Sequence, residues 1–213
     1  MDELDLLKKD WKKQESKYPT LSFDEIYKMI HKRSSSIVKW IFIICIAEFA
    51  FWALLNLLVP DSYIEIYEKF HLKTFLHVSQ VIHYIVVAVF LYLFYKNFKS
   101  ISVIDNTKVL MKKILKTRKT VNYYIYYNIG LYVILTIIFN IVMFSNSEIL
   151  MELVDPEHTK NVNEALMFNI MLVTQIIVFI IMVALLCLFY RVVYGILLRR
   201  LKKNYKELAS LEI

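Results

Sequence analysis

The sequence predicts an all-α fold: an integral membrane four-helix bundle with cytoplasmic amphipathic helices. Three observations predict it. The 213-residue chain is 58% hydrophobic and 21% charged, with a mean hydropathy of +0.49. A soluble domain is nearer half apolar and a quarter charged. The apolar excess is gathered into four long runs, each near the roughly 20 residues that cross a ~30 Å hydrocarbon layer as a helix. Basic residues are also segregated: 23 of the 26 Lys and Arg lie in the N-terminal segment through Lys39, the 96–122 connection or the C-terminal tail.

The chain divides into a cytoplasmic segment 1–36, a membrane domain 37–190 and a basic tail helix 191–213. In the first segment, Leu4, Leu7 and Trp11 fall at helical spacing and give one apolar stripe. After Pro19 the run "LSFDEI" reads as a helix start, with Ser22 as cap, Glu25 closing a capping box and Leu21 stapled to Ile26. That helix presents Phe23, Ile26, Tyr27 and Ile30 before a polar hinge at Ser34-Ser35-Ser36. This polar start carries no cleavable signal, so the first span serves as its own insertion signal.

The spans are read at 37–59, 74–95, 123–144 and 166–190. Only Lys69, Lys73 and Lys160 lie in the other two connections, which are acidic: Asp61, Glu65 and Glu68, then Glu148, Glu152, Asp155, Glu157 and Glu164. Basic segments stay on the cytoplasmic side, which predicts both termini inside. The net charge of +7 then describes one face of a membrane protein and does not argue for nucleic acid. Cys45 and Cys187 lie in different spans at different depths and are read as apolar cysteines, not as a disulfide.

Between the second and third spans, 103–119 reads as a basic amphipathic helix. Asp105 would cap it, and Leu110, Met111, Ile114 and Leu115 form its apolar face. Lys108, Lys112, Lys113, Lys116, Arg118 and Lys119 crowd the rest. Such a helix is expected to lie in the interface against anionic lipid headgroups, or to dock an acidic protein partner. The tail repeats the pattern, with Leu197, Leu198, Leu201, Tyr205 and Leu208 opposite Arg199, Arg200, Lys202 and Lys203.

Polar residues inside spans are the first place to look for function. Counted from the outer ends, Asn56, His77, Asn140 and Asn169 form one layer and Glu48, His83, Thr136 and Gln175 a deeper one. The two layers lie roughly 5 Å and 12–16 Å below the outer boundary. Glu48, in the apolar run "KWIFIICIAEFAFWALLNLLV", is expected as a neutral carboxyl hydrogen-bonded to His83 or Gln175. Polar contacts of this kind hold membrane helices together, at about 0.6 kcal/mol per pair. The alternative is a proton-exchanging Glu48–His83 pair in a pocket open to the outside, since the inner halves of spans two and four are nearly without polar groups.

Catalytic signatures do not appear: the chain has no HExxH, CxxC, P-loop, GxSxG or GxGxxG. No metal or cofactor is expected. His77 and His83 project about 120° apart on one helix, a poor chelating spacing even if His71, His158, Asp155 and Glu157 join them on the outer side. Pro19, Pro60 and Pro156 all lie outside the spans, so the broken helices of secondary transporters are not indicated. A short echo links "LYLFYK" (91–96) with "LCLFYR" (186–191), each followed by an Ile at the same distance, Ile101 and Ile196. A duplicated hairpin would explain it, as would a shared aromatic belt.

Taken together, "ELDLLKKDWKKQE", "DEIYKMIHKRSSSIVKWIF", "DNTKVLMKKILKTRKTVNYY" and "YGILLRRLKKNYKEL" resemble a group of uncharacterised four-span proteins of Flavobacterium-like bacteria. The resemblance implies a Gram-negative inner membrane. Members sometimes carry a carotenoid-cleaving oxygenase label, which does not suit this chain: those oxygenases resemble long β-propellers holding iron with four histidines. The expected function is non-enzymatic, regulatory or assembly-related, with basic cytoplasmic helices on anionic lipid and a protein partner. The rival expectation is a proton-linked sensor or small transporter built on Glu48 and His83.

Overall fold

In the computed structural model residues 22–102, 106–154 and 164–210 are described, and among them every regular element is a helix. These are α1 (Phe23–Leu57), α2 (Asp61–Lys69), α3 (Lys73–Ser102), α4 (Thr107–Ser145), α5 (Ser147–Val154) and α6 (Glu164–Ser210). Four of them, α1, α3, α4 and α6, are long and apolar enough to cross a membrane. The expected all-α architecture is the one observed.

The first helix starts where the capping box predicts. The Ser22 hydroxyl accepts from the Glu25 amide at 3.3 Å, and the Glu25 carboxylate accepts from the Ser22 amide at 2.8 Å, so two otherwise orphaned donors are satisfied reciprocally. The predicted Leu21 staple, the Leu4–Trp11 stripe and the Asp105 cap lie outside the described residues. At the other end α1 stops at Leu57, and Pro60 precedes α2 as its N-cap. Helix α2 ends with His71 in the left-handed region at φ 56°. There the Leu72 amide donates back to the Tyr67 carbonyl at 2.8 Å, closing the last turn as a Schellman motif does and turning the chain into α3.

The four long helices pack in a ring: α1 against α3 and α6, and α4 against α3 and α6. Their buried residues recur at alternating three and four. On α4 the seam is Thr107, Leu110, Ile114, Thr117, Val121 and Tyr124; on α6 it is Tyr190, Tyr194, Leu201, Asn204 and Leu208, with half-buried Leu197 filling the gap. On α1 Ile30, Ser34, Ile37, Ile41, Cys45 and Glu48 face the same core. This is the spacing of knobs-into-holes packing in antiparallel bundles.

That core sits at the basic end. The apolar windows of α4 and α6 are 0% buried within the chain, as expected for helices surrounded by lipid. The heptad seam instead runs through and beyond the basic residues that bound those windows. From Lys119 back to Thr107, from Lys39 back to Phe23 and from Arg191 on to Ser210 the helices continue unbroken, by roughly 18–28 Å at ~1.5 Å per residue.

This corrects two expectations. The basic helices expected to lie flat in the interface as separate elements are instead coaxial continuations of the long apolar helices, forming a stalk. Leu110, Ile114, Leu201 and Leu208 are buried against one another, so they are not free to insert into lipid, and Leu115 lies exposed on the stalk surface. Nor is Ser34–Ser36 a hinge, because α1 runs through it and Ser34 is fully buried. The sequence echo also has no structural counterpart at its key positions. Tyr95 is exposed while Tyr190 is buried, and Ile101 is buried while Ile196 is exposed.

Candidate functional site

Glu48 lies on the α1 seam at 7% exposure, and its carboxyl is shared between two phenols of α6. The Tyr190 hydroxyl lies 2.7 Å from Oε1 and the Tyr194 hydroxyl 2.7 Å from Oε2. Tyr190 and Tyr194 are four residues apart, so one helical turn places both rings on the same face. Tyr124 of α4 and Cys45, one turn before Glu48, complete the shell. The Tyr124 ring packs against Tyr194 at 5.9 Å, against Tyr190 edge-on at 6.4 Å, and against Phe90 and Phe94 of α3. The carboxyl and its shell therefore come from α1, α4 and α6, with α3 backing Tyr124.

A second polar contact lies lower on the same α1–α6 seam: the Asn204 amide donates to the Ser34 hydroxyl at 2.9 Å, both side chains fully buried. Ser34 and Glu48 are two heptads apart, as are Tyr190 and Asn204. One register therefore satisfies both contacts, and a shift of a single turn breaks both. A third polar layer joins Asn97 to Thr120 at 3.3 Å. Lys113 caps the end of α3 by donating to the Ser100 carbonyl at 2.6 Å.

The expected mid-depth layer is only partly assembled. His83 sits at a depth close to that of Glu48, since Phe49 packs on Tyr84, but it faces α4. There it stacks on Tyr127 and meets its hydroxyl at 3.5 Å, so the Glu48–His83 and Glu48–Gln175 contacts are not formed. Thr136 lies three turns beyond Tyr124 along α4, and Gln175 lies fifteen residues from Tyr190 on α6, about 18 and 22 Å away along the axes.

The displacement has a simple cause. From the shared level of Glu48 and Tyr124, α1 ends nine residues on at Leu57 whereas α4 continues for 21 to Ser145, so the outer ends of spans one and three lie at different levels. The remaining level beside α4 is filled by α2, whose Tyr67 packs on Phe139 at 5.0 Å.

The outer layer also divides. Asn56 accepts from the Gln80 amide at 2.7 Å across α1 and α3. Asn140 bonds back to the Thr136 carbonyl at 2.7 Å and shares a lipid-facing groove with Gln175 between α4 and α6. His77 and Asn169 are exposed. Among the described residues no group of three His, Cys, Asp or Glu side chains could hold a metal ion. His158, Asp155 and Glu157 lie outside them.

Of the basic set, Lys108, Lys112, Lys116 and Lys119 form an exposed stripe on α4, while Lys113 and Arg118 are half-buried. Lys119 lies over the Tyr123 ring at 5.6 Å, a cation–π contact at the foot of the apolar window. The cations at the acidic end are paired, Lys69 with Glu152 at 3.4 Å and Lys73 with Glu68 at 2.8 Å. These exposed pairs add little stability.

Four apolar helices, a lipid-facing outer surface and a buried polar seam define an α-helical multi-pass membrane protein. The chain belongs to the family described as Domain of unknown function (DUF8845), whose model matches residues 24–213. That match covers α1 through α6, and so includes both Glu48 and its tyrosines. No curated protein and no solved structure matches the chain.

Proposed function

We propose that this chain is a non-enzymatic, multi-pass membrane protein of regulatory or assembly type. The foot of its rigid cationic stalk meets the anionic headgroups of the bilayer, and the stalk stands off the membrane to present its surface to an acidic protein partner. The reading rests on one observation: the spanning helices continue past the apolar windows as one bundle, apolar inside and basic outside. A stalk stapled at Glu48 and Ser34 is suited to holding a surface in place. The charge asymmetry supports a stalk on the cytoplasmic side of a bacterial inner membrane, with both termini inside.

The proton-linked alternative loses its main support, because Glu48 and His83 have different partners. The test is affinity capture of the tagged protein from crosslinked native membranes. We compare the wild type with a variant carrying Lys108→Glu, Lys112→Glu, Lys116→Glu and Lys119→Glu. A stoichiometric partner lost in the variant supports the reading; recovery of both proteins with lipid alone contradicts it.

A further inference from the structure

At the foot of the membrane domain, beside the packed α1–α6 seam, the outward faces of the two helices frame an open cavity of about 400 Å³. Its walls carry three cationic side chains, Lys32, Arg33 and Arg200, together with Ser36. Trp40 and Leu197 form its upper, apolar edge. Among the described residues none of the three cations forms an ion pair; the pairs at this end of the molecule are confined to Lys203 with Glu207. Three like charges around one cavity, none with an acidic partner among the described residues, favour an anion between them.

The depth of the cavity identifies the anion. Trp40 is 55% exposed and adjoins Lys39, the last charge before the apolar window of α1. Interfacial tryptophans mark the headgroup level. Ser36 lies one turn below Trp40, and Arg33 less than two turns, about 6 and 10 Å along the helix. A bilayer holds its headgroups within about 5–8 Å of the hydrocarbon edge. Ser36 and Arg200, the latter three residues past Leu197, thus lie at phosphate depth, and the long side chains of Arg33 and Lys32 reach up to it from roughly 10–12 Å below Trp40, with an apolar wall directly above for the acyl chains. Basic pockets between membrane helices at this level are the usual seats of anionic headgroups.

We propose that the α1–α6 cavity binds the phosphate of an anionic phospholipid. Arg33 and Arg200 grip its oxygens, Lys32 adds charge, Ser36 donates a hydrogen bond, and the acyl chains lie along Trp40 and Leu197. This site deepens the proposed function by naming the lipid class and its seat. It rests on the membrane placement given there, not on the protein partner.

The test uses the full chain reconstituted in vesicles of phosphatidylcholine and phosphatidylglycerol, one or the other brominated on its acyl chains. A variant with Trp40 as its single tryptophan (Trp11→Phe, Trp52→Phe) reports the lipid at the cavity. One retaining Trp52 reports the outer part of the same helix. The expected result is preferential quenching of Trp40 by brominated phosphatidylglycerol and no preference at Trp52. Arg33→Gln or Arg200→Gln should each reduce the Trp40 preference about fivefold, the equivalent of ~1 kcal/mol per basic residue near the surface, and Lys206→Gln, an exposed lysine farther along α6, should leave it unchanged. Equal quenching of Trp40 by the two lipids, or a preference that both Arg variants retain, overturns the site. Displacement by soluble glycerol phosphate also overturns it, because the cavity then serves a free phosphate ester. Absence of quenching by any lipid at Trp52 overturns the membrane placement itself.

Discussion

The hydroxyl of Tyr194, on the last helix, lies 2.7 Å from the carboxyl of Glu48 on the first, and the neighbouring Tyr190 bonds the other oxygen. The contact joins residues 146 positions apart and closes the ring of helices. A carboxyl in an apolar span is costly unless its oxygens are satisfied. Here each oxygen has its own phenol, and the same two bonds fix how α6 sits on α1.

Removing either phenol should therefore weaken the bundle. Tyr190→Phe and Tyr194→Phe each leave a buried carboxyl oxygen without its donor, a cost of about 1–3 kcal/mol. Reversible unfolding in mixed detergent micelles measures it. Combined with Glu48→Leu, which removes the acceptor, either Tyr→Phe change should cost much less than it does alone. Additive losses would mean that the hydrogen bonds contribute nothing beyond packing.

The Ser34–Asn204 contact makes a different prediction. Ser34→Ala strands the Asn204 amide in a fully buried seam, where the Asn204 Oδ1 has no hydrogen-bond partner among the described residues. The single change should cost about 1–2 kcal/mol. The double change Ser34→Ala with Asn204→Leu should match or exceed the wild type, since apolar replacement of both partners removes the desolvation cost. Thermal unfolding followed by circular dichroism distinguishes the two.

The capping box gives the chain a local pH dependence. Backbone and hydroxyl bonds from Ser22 hold the Glu25 carboxyl below its ordinary value of 4.5. A depressed folded value means the stabilisation is complete above the ordinary value and is lost as pH falls through the folded one. Hydrogen exchange of the first turns of α1, corrected for the intrinsic rate, should thus accelerate in acid. Glu25→Gln, which keeps an acceptor in the box, should abolish the pH dependence while retaining most of the protection at neutral pH.

Much of this architecture was legible in the sequence, for physical reasons that can be named. Spans of about 20 apolar residues leave little choice in a bilayer, and the Ser22–Glu25 box marks a helix start by local chemistry alone. Glu48 stood out because an acid in an apolar run demands partners. Its partners are not legible because Tyr190 and Tyr194 flank Arg191, at the very end of the apolar run, and because the outer ends of the spans lie at different levels. The signal was present in the seam itself. Thr107, Leu110, Ile114, Thr117, Val121 and Tyr124 alternate by three and four straight across the boundary drawn at Lys119, as Tyr190 to Leu208 do across Arg191. Reading the basic helices as separate amphipathic units hid that continuity, and with it the burial of Ser34 and Asn204.

The central claim is that the basic helices stand off the membrane as a stalk, and Leu115 tests it most directly. A flat interfacial helix with Leu110, Met111, Ile114 and Leu115 on its apolar face places Leu115 in lipid. In the stalk Leu115 is 43% exposed on a helix that runs on past the apolar window, which places it in water. A nitroxide on Leu115→Cys, in a Cys45→Ala and Cys187→Ala background, should collide with a water-soluble nickel reagent more often than with membrane-dissolved oxygen. The opposite ranking would lay the helix in the bilayer surface and contradict the account.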